Sequence, residues 1–358
     1  MTKLPALALL GAASLIATAC DSNEAATTSG FDDAQVVADF ADHVIIPTYA
    51  ALAERATTLR VAVDALAADP TEARLGAAQD AWVAARMPWE QSEAFLFGPV
   101  DAEGFDPALD TWPLNKTDLD AVLASSDTID SAYVKNLPPT QKGFHTLEYL
   151  LFGTGGGRVV ADLDARSLAY LGAVAGEFED ITARLHDAWT DGIGGAGPYR
   201  DVFVTAGAGS AAYPSLAAAA QEIVAGMSGI CDEVANGKIA DPYDGQDAQL
   251  EESRFSNNSL ADFQDNIRSV KNAYLGTTPF SAGTGASLSG WVQGEDAALD
   301  TQIRAQIDAS IAAIAAIPAP FGTAIFDDGA AAAIENAQAA IRSLQTLLDT
   351  RLLPLVQK

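Results

Sequence analysis

An all-α fold of two helical bundles is what this sequence predicts, and three observations carry the prediction. Alanine is abundant and β-branched runs are short, which favours helix over sheet. Apolar residues recur at helical spacing through long segments. Gly/Pro clusters separate those segments, and a length of 358 residues suits about two domains. The chain is 49% hydrophobic, ample for a core.

Residues 1–19 read as an export signal and not as part of the fold. Lys3 is followed by the apolar LPALALLGAASLIATA and then Cys20. The pattern resembles a bacterial lipoprotein signal, in which Cys20 is lipidated and becomes the first mature residue. Ala17 stands where such signals more often carry Leu, and a plain secretory signal cut nearby is the alternative. Either way the protein is expected to be exported. With the anchor, it is a membrane-attached lipoprotein of the periplasm or cell surface. Residues 20–30, polar and small after Cys20, form a flexible tether. No later segment has 18 uninterrupted apolar residues, so no transmembrane helix is expected. With Cys20 acylated, Cys231 is alone, which leaves no disulfide framework or Cys-based metal cluster.

The first bundle spans residues 31–192. Phe31–Ala68 is helical, with Val36, Phe40, Val44 and Ala51 on one face and a kink at Pro47. Asp69-Pro70 breaks it, and Thr71–Phe97 is helical again. Gly98 to Lys116 reads as a loop rich in Gly, Pro and Asp, followed by a short helix over Thr117–Ser125. After Pro138-Pro139, a helix starts near Thr140 and ends at Gly153; Asp162–Thr190 is the next long one. DGIGGAGP, residues 191–198, is the strongest linker. The second bundle, 199–358, offers Tyr213–Asn236, Ser259–Gly276, Gly290–Ile317 and Asp327–Leu353. About four helices per half is compatible with an old duplication.

The formal net charge is −28, which repels nucleic-acid phosphates and excludes nucleic acid as a partner. The same acidity suits gathering cations, and it equally suits plain solubility in a charged medium.

Four stretches could carry chemistry. In GFHTLEYLLFG, His145 and Glu148 are i and i+3 and point the same way, beside the apolar stripe of Phe144, Leu147 and Leu151. Such a pair can chelate a divalent metal, or it can make an ordinary His–Glu hydrogen bond. No H-E-x-x-H is present, and His43 and His186 read as surface or cap residues. In AWVAARMPWEQSEAFLFGP, Trp82, Arg86, Trp89 and Glu93 share a face if the helix continues through Pro88. Glu90 lies one turn from Arg86. A glutamate among tryptophans needs a cation or a donor, and either Arg86 or a metal would serve. In FDPALDTWPLN, Asp106, Asp110 and Trp112 occupy a loop that packs back on the bundle, with Asp106 read as a helix cap. In SRFSNNSLADFQDNIRSVKNAYLG, Asp262, Asn266 and Ser269 form a polar stripe, more commonly the solvated side but able to line an interdomain cleft.

Four features in order are similar to the imelysin family: the lipoprotein-like signal, W-x-x-x-R-x-P-W-E-x-x-E-x-x-x-F-G-P, G-x-H-x-x-E and N-I-x-S-V-x-N-x-Y. This family is also known as imelysin-like or insulin-cleaving membrane protease proteins and includes iron-regulated envelope proteins. G-x-H-x-x-E is its hallmark, intact here as Gly143, His145 and Glu148. The resemblance implies an all-α fold of two bundle-like domains with the motif near their interface, a cell-envelope location and a link to iron uptake. It matches His145, Glu148 and Glu93 to family positions.

The function this implies is that of an envelope lipoprotein that binds a metal, divalent or ferric, with iron the favoured ion. His145, Glu148 and Glu93 are the expected ligands and Asp110 a further candidate, with Arg86 holding the carboxylates in place. Iron or an iron chelate and envelope transport proteins would be its partners. One alternative is a metallopeptidase at the same site, with Glu90 as general base. Another is a partner-binding lipoprotein that uses the interdomain cleft without metal.

Overall fold

The computed structural model describes residues 30–358; the signal-like segment, Cys20 and the tether through residue 29 lie outside the described residues. All regular structure among the described residues is helical.

Helix α1 runs over Ala34–Ala68, capped by the Asp33 side chain, which accepts from the amides of Gln35 and Val36. Pro47 has no N–H to offer the His43 carbonyl. The helix absorbs the loss by widening a turn over Ala41–Ile45, where the Ile46 N–H reaches back to the Ala41 carbonyl. By length and composition α1 could cross a bilayer, but 56% of its most apolar window is buried inside the fold. It is the core helix, packed against α2 (Glu72–Glu90) and α5 (Ala165–Thr190). Between these come the short α3 (Phe105–Asp110) and α4 (Gly143–Phe152). Helix α4, which carries the hallmark motif, lies on α2 and α5 with the Phe144 and Phe178 rings edge-to-face, centroids 4.5 Å apart.

In the second half, α6 (Leu216–Glu233) is prolonged by a wide turn to Lys238. It packs on α7 (Ser259–Leu275) and α9 (Ala331–Leu347), while α8 (Ala297–Ala315) packs on α7 and α9. The halves meet where α7 lies on α2 and where the turn Glu93–Phe95 presses against α6. At that crossing the Ala94 carbonyl comes so near Gly226 that a Cβ there would sit 2.2 Å from its oxygen. Apolar burial is continuous from one half to the other.

Three elements differ from expectation. Residues 98–116 are not one loop: Pro99–Ala102 and α3 are short helices, the first started by a proline at its opening position. Helix α2 stops at Glu90 and not at Phe97, because Ser92 folds back and donates from both N–H and Oγ to the Trp89 carbonyl. Glu93 therefore does not continue the helical face of Trp82, Arg86 and Trp89. The segment expected over Gly290–Ile317 is two helices, broken at Asp296, whose side chain caps α8 through the Leu299 amide.

Candidate functional site

The hallmark helix begins at a backbone position that only glycine fits. Gly143 has φ +76°, and a Cβ there would lie 2.3 Å from the Leu109 carbonyl oxygen. This close approach sets the start of α4 against the end of α3, so that His145 meets Asp110, the residue after Leu109. His145 Nε2 lies 3.1 Å from Asp110 Oδ1, yet the N–H direction misses that oxygen, and the buried Nε2 has no aligned hydrogen bond. The other ring nitrogen, Nδ1, is 3.2 Å from Glu148 Oε2. Glu148 is held in turn from the second half: its Oε1 accepts from Phe255 N at 3.0 Å, Ser256 N at 2.8 Å and Ser256 Oγ at 2.7 Å.

Helix α2 supplies Arg86, which is fully buried at the centre of a carboxylate ring. It reaches Asp110 at 2.6 Å, Glu252 at 3.2 Å and Asp262 at 3.4 Å, and it contacts Glu90 closely. The aromatic neighbours expected of this face are present: Trp82 donates to the Phe144 carbonyl at 3.0 Å and Trp89 to Asp110 Oδ2 at 2.6 Å. Lys238, at the end of the wide turn after α6, bonds Glu252 at 2.9 Å and approaches Glu90 and Glu93 at 3.7 and 3.8 Å. Asn266 donates to Glu90 at 2.5 Å, and Ser253 and Asn258 donate to Asp262.

Burial and charge oppose each other throughout this network. Burial works against the Arg86 cation, but Asp110 and its companion carboxylates outweigh it and raise the guanidinium well above its usual range. Lys238 is raised in the same way by Glu252, Glu93 and Glu90. Asp110 is held far below the usual carboxylate range, since Arg86 and His145 outweigh its burial. Glu90 and Glu93 go the other way: burial raises both well above the norm despite Arg86 and Lys238. Arg86 thus satisfies Asp110 first and leaves Glu90 under-compensated. For His145, burial disfavours the imidazolium, but the Asp110 charge and the bond to Glu148 push it up to about 9.

Two triads of possible ligand atoms emerge, each within 4.8 Å of one another: Asp110, His145 and Glu252, and Glu90, Glu93 and Asp110. Besides His145 Nε2, the buried Glu252 Oε2 has no hydrogen-bond partner. A cleft of about 250 Å³ opens onto this place, lined by Glu93, Asp106, Asp110, Trp112, Lys238 and Glu252.

Of the expected residues, His145, Glu148, Asp110, Arg86, Glu90 and Glu93 all lie in one buried network. Their arrangement differs from the expected set. Glu93 and His145 fall in different triads joined through Asp110, because the turn after α2 redirects Glu93 towards Lys238. Glu148 belongs to neither triad; its Oε2 lies at Nδ1 of the His145 ring and not at Nε2, where Asp110 stands. Asp106 is no cap: α3 has Gly104 at its cap position, and Asp106 lies on the cleft with burial raising its carboxyl to about 6. The stripe Asp262, Asn266 and Ser269 is not solvated but buried against α2 and the turn after it. His43 and His186 stand apart from the network, each near an aspartate on its own helix.

Glu252, Lys238 and Asp262 were not expected as cluster members. The glutamate pair Glu251-Glu252, just before the Ser253–Gly276 stretch, was the available signal for the first. Lys238 carries none, being a single lysine after an ordinary helix.

The sequence profile of imelysin matches residues 45–348. The chain belongs to the imelysin family. This imelysin-family chain is 33% identical over 351 residues to iron-regulated protein A of Synechococcus elongatus, covering 98% of itself and 93% of that protein. It is similar to the crystal structure of an iron-regulated protein A precursor from Parabacteroides distasonis, with TM-score 0.80 and 32% identity over 90% of this chain and 95% of that one. An imelysin-like protein from Psychrobacter arcticum shares the fold, with TM-score 0.71 at 15% identity over 92% and 98% of the two chains.

Proposed function

We propose that this imelysin-family protein is an exported, envelope-anchored lipoprotein that binds a metal ion, iron in the first place, between its two halves. The relative in Synechococcus and the solved protein from Parabacteroides are both named for regulation by iron, which supports the choice of ion. The observation that carries the reading is the triad of Asp110, His145 and Glu252, whose ligand atoms lie within 4.8 Å of one another, on a network in which the buried Glu252 Oε2 has no hydrogen-bond partner. Six buried carboxylates (Glu90, Glu93, Asp110, Glu148, Glu252 and Asp262) face the cations Arg86 and Lys238 and an ionisable His145. Burial pushes Glu90 and Glu93 towards their neutral forms, and a cation bound beside them would favour their ionised forms instead. A mixed imidazole and carboxylate set suits iron and other first-row ions that accept oxygen donors.

His145, Asp110 and Glu252 would hold the ion, with Glu93 and Glu90 beyond Asp110. Glu148 would act behind the ligand, fixing the His145 ring through Nδ1 so that Nε2 faces inward. Arg86 and Lys238 keep the carboxylates in place and partly compensated. Bound there, the ion would be sequestered from solvent and released to envelope transport proteins.

Binding is favoured over hydrolysis by two features. Glu90, the base a peptidase would need, is fully buried and tied to Arg86 and Asn266. The cleft of about 250 Å³ also falls below the range of about 300–1,000 Å³ typical of pockets for larger ligands, which suits an ion better than a peptide or a large chelate.

The test is metal content and iron affinity of the mature protein beside His145→Ala, Glu252→Ala and Glu148→Ala. Stoichiometric metal in the wild type, lost in the first two and weakened in the third, is expected. No bound metal after exposure to ferrous and ferric iron would overturn the reading. Peptide cleavage that disappears in His145→Ala would instead favour the peptidase.

A further inference from the structure

A second, larger cavity lies on the opposite side of the segment that carries Glu252. It measures about 470 Å³ and shares no lining residue with the cleft over the acidic network. Glu251 lines it, whereas the next residue, Glu252, faces the network. Its walls come from both halves: Lys116 and Thr154 from the first, Arg254, Phe255, Asn257 and Thr323 from the second.

Its charge is unlike that of the chain. In a protein of net charge −28, this cavity presents a lysine and an arginine against one carboxylate, Glu251, which is buried and bonded by Ser259. Arg254 is part-buried, and no Asp or Glu oxygen among the described residues lies within 4.0 Å of its guanidinium. Its one hydrogen bond runs from Nη1 to the Gln249 carbonyl at 3.2 Å, and the group lies over the Phe255 ring at 4.6 Å. Most of its five N–H donors are therefore uncommitted, on a guanidinium held by stacking. Lys116 lines the cavity half-exposed, paired with Asp120 at 2.5 Å and lying over the Tyr149 ring at 5.3 Å. Asn257 keeps a left-handed backbone, φ +59°, while its amide edges the cavity.

We propose that this cavity binds a small organic carboxylate. The Arg254 fork is the geometry that takes a carboxylate through two parallel hydrogen bonds. Lys116 supplies a second cation from the facing half, and the amide and hydroxyls of Asn257, Thr154 and Thr323 supply neutral hydrogen bonds. Phe255, buried beneath the Arg254 fork, fixes its position by stacking. The volume falls within the range of about 300–1,000 Å³ that holds organic ligands, and an inorganic oxyanion would leave most of it unfilled. This cavity shares no lining residue with the cleft at the ion site; the two meet only through the Phe255 amide, which donates to Glu148.

The experiment is calorimetric titration of the metal-free mature protein with citrate, benzoate and inorganic phosphate at constant ionic strength. Saturable binding of at least one of the two carboxylates is expected, with phosphate at least tenfold weaker. Arg254→Gln should weaken carboxylate binding at least tenfold and Lys116→Gln severalfold. Both side chains reach solvent, and an unchanged melting curve will show that the variants fold. Thr323→Phe, which fills the cavity from the other wall, should also abolish binding. Failure of both carboxylates to bind at millimolar concentration, phosphate binding as tightly as they do, or an Arg254→Gln protein that binds like wild type would each overturn the proposal. His145→Ala should leave carboxylate binding intact, so the fate of the ion site does not bear on this outcome.

Discussion

Glu148 of the hallmark motif is hydrogen-bonded by Ser256 from the other half of the chain, Oγ to Oε1 at 2.7 Å, with the Phe255 and Ser256 amides on the same oxygen. The glutamate is thereby a joint between the halves as well as the residue behind His145. Hydrogen bonds to a charged group contribute about 1.5–3 kcal/mol, so Ser256→Ala should lower stability by roughly the low end of that range. Glu148→Gln should weaken metal binding about 10–100-fold, the usual effect of disturbing a ligand's outer partner. Urea unfolding and metal titration read the two effects separately, and unaltered metal affinity in Glu148→Gln would remove its orienting role.

Arg86 has four carboxylate partners and no route to water. Removing one member of a buried ion pair typically costs about 3–5 kcal/mol, and Arg86→Ala should reach at least that value or fail to fold. Arg86→Lys should rescue little, because a point charge cannot serve Asp110, Glu252 and Asp262 from separate nitrogens. Arg86→Met, which fills the space without charge, separates packing from electrostatics. If its stability equals wild type, the guanidinium is not the central support of the site.

The first residue of the hallmark is as demanding as the others. Gly143→Ala places a methyl against the Leu109 carbonyl and adds a strained left-handed backbone, which alone costs about 1–3 kcal/mol. The variant should be destabilised and should also lose metal affinity, since moving Leu109 moves Asp110. An Ala variant with wild-type affinity would break the proposed link between Gly143 and Asp110.

The metal-free protein should respond to pH through His145. Its folded value, about 9, lies above the 6.5 of an ordinary histidine. The stabilisation is therefore complete below about pH 6.5 and is lost as pH rises through 9. Each tenfold gain in proton affinity on folding corresponds to about 1.4 kcal/mol, so about 3 kcal/mol is at stake. Urea unfolding of chelator-treated protein from about pH 6 to 10 should show this decline, and His145→Gln should make it shallower, the remainder coming from the raised Glu90 and Glu93. A metal at Nε2 must displace the same proton, so iron binding near pH 7.5 should release it, which titration in buffers of different ionisation enthalpy detects.

Much of the architecture was legible because it rests on periodicity and punctuation. The long helices α5 and α7 lie close to where apolar spacing, Gly276 and the DGIGGAGP run put them. The His145–Glu148 pair and the aromatic face of Trp82, Arg86 and Trp89 were legible for the same reason: each is a short-range pattern within one helix. What was not legible is tertiary. The end of α2 at Glu90 depends on the fold-back of Ser92, and the burial of Asp262 and Asn266 depends on α2 lying over them. Glu252 and Lys238 join the site through contacts that no local spacing encodes.

The ring around Arg86 closes only across long stretches of chain: Glu252 lies 166 residues downstream and Asp262 lies 176. A growing or threading polypeptide possesses His145 and Asp110 long before it possesses a site. If the chain crosses a membrane unfolded, it cannot load an ion before it arrives. The metal would then be chosen by the compartment in which folding finishes, and the span between Arg86 and its last partners would act as a delay that keeps cytoplasmic metals out.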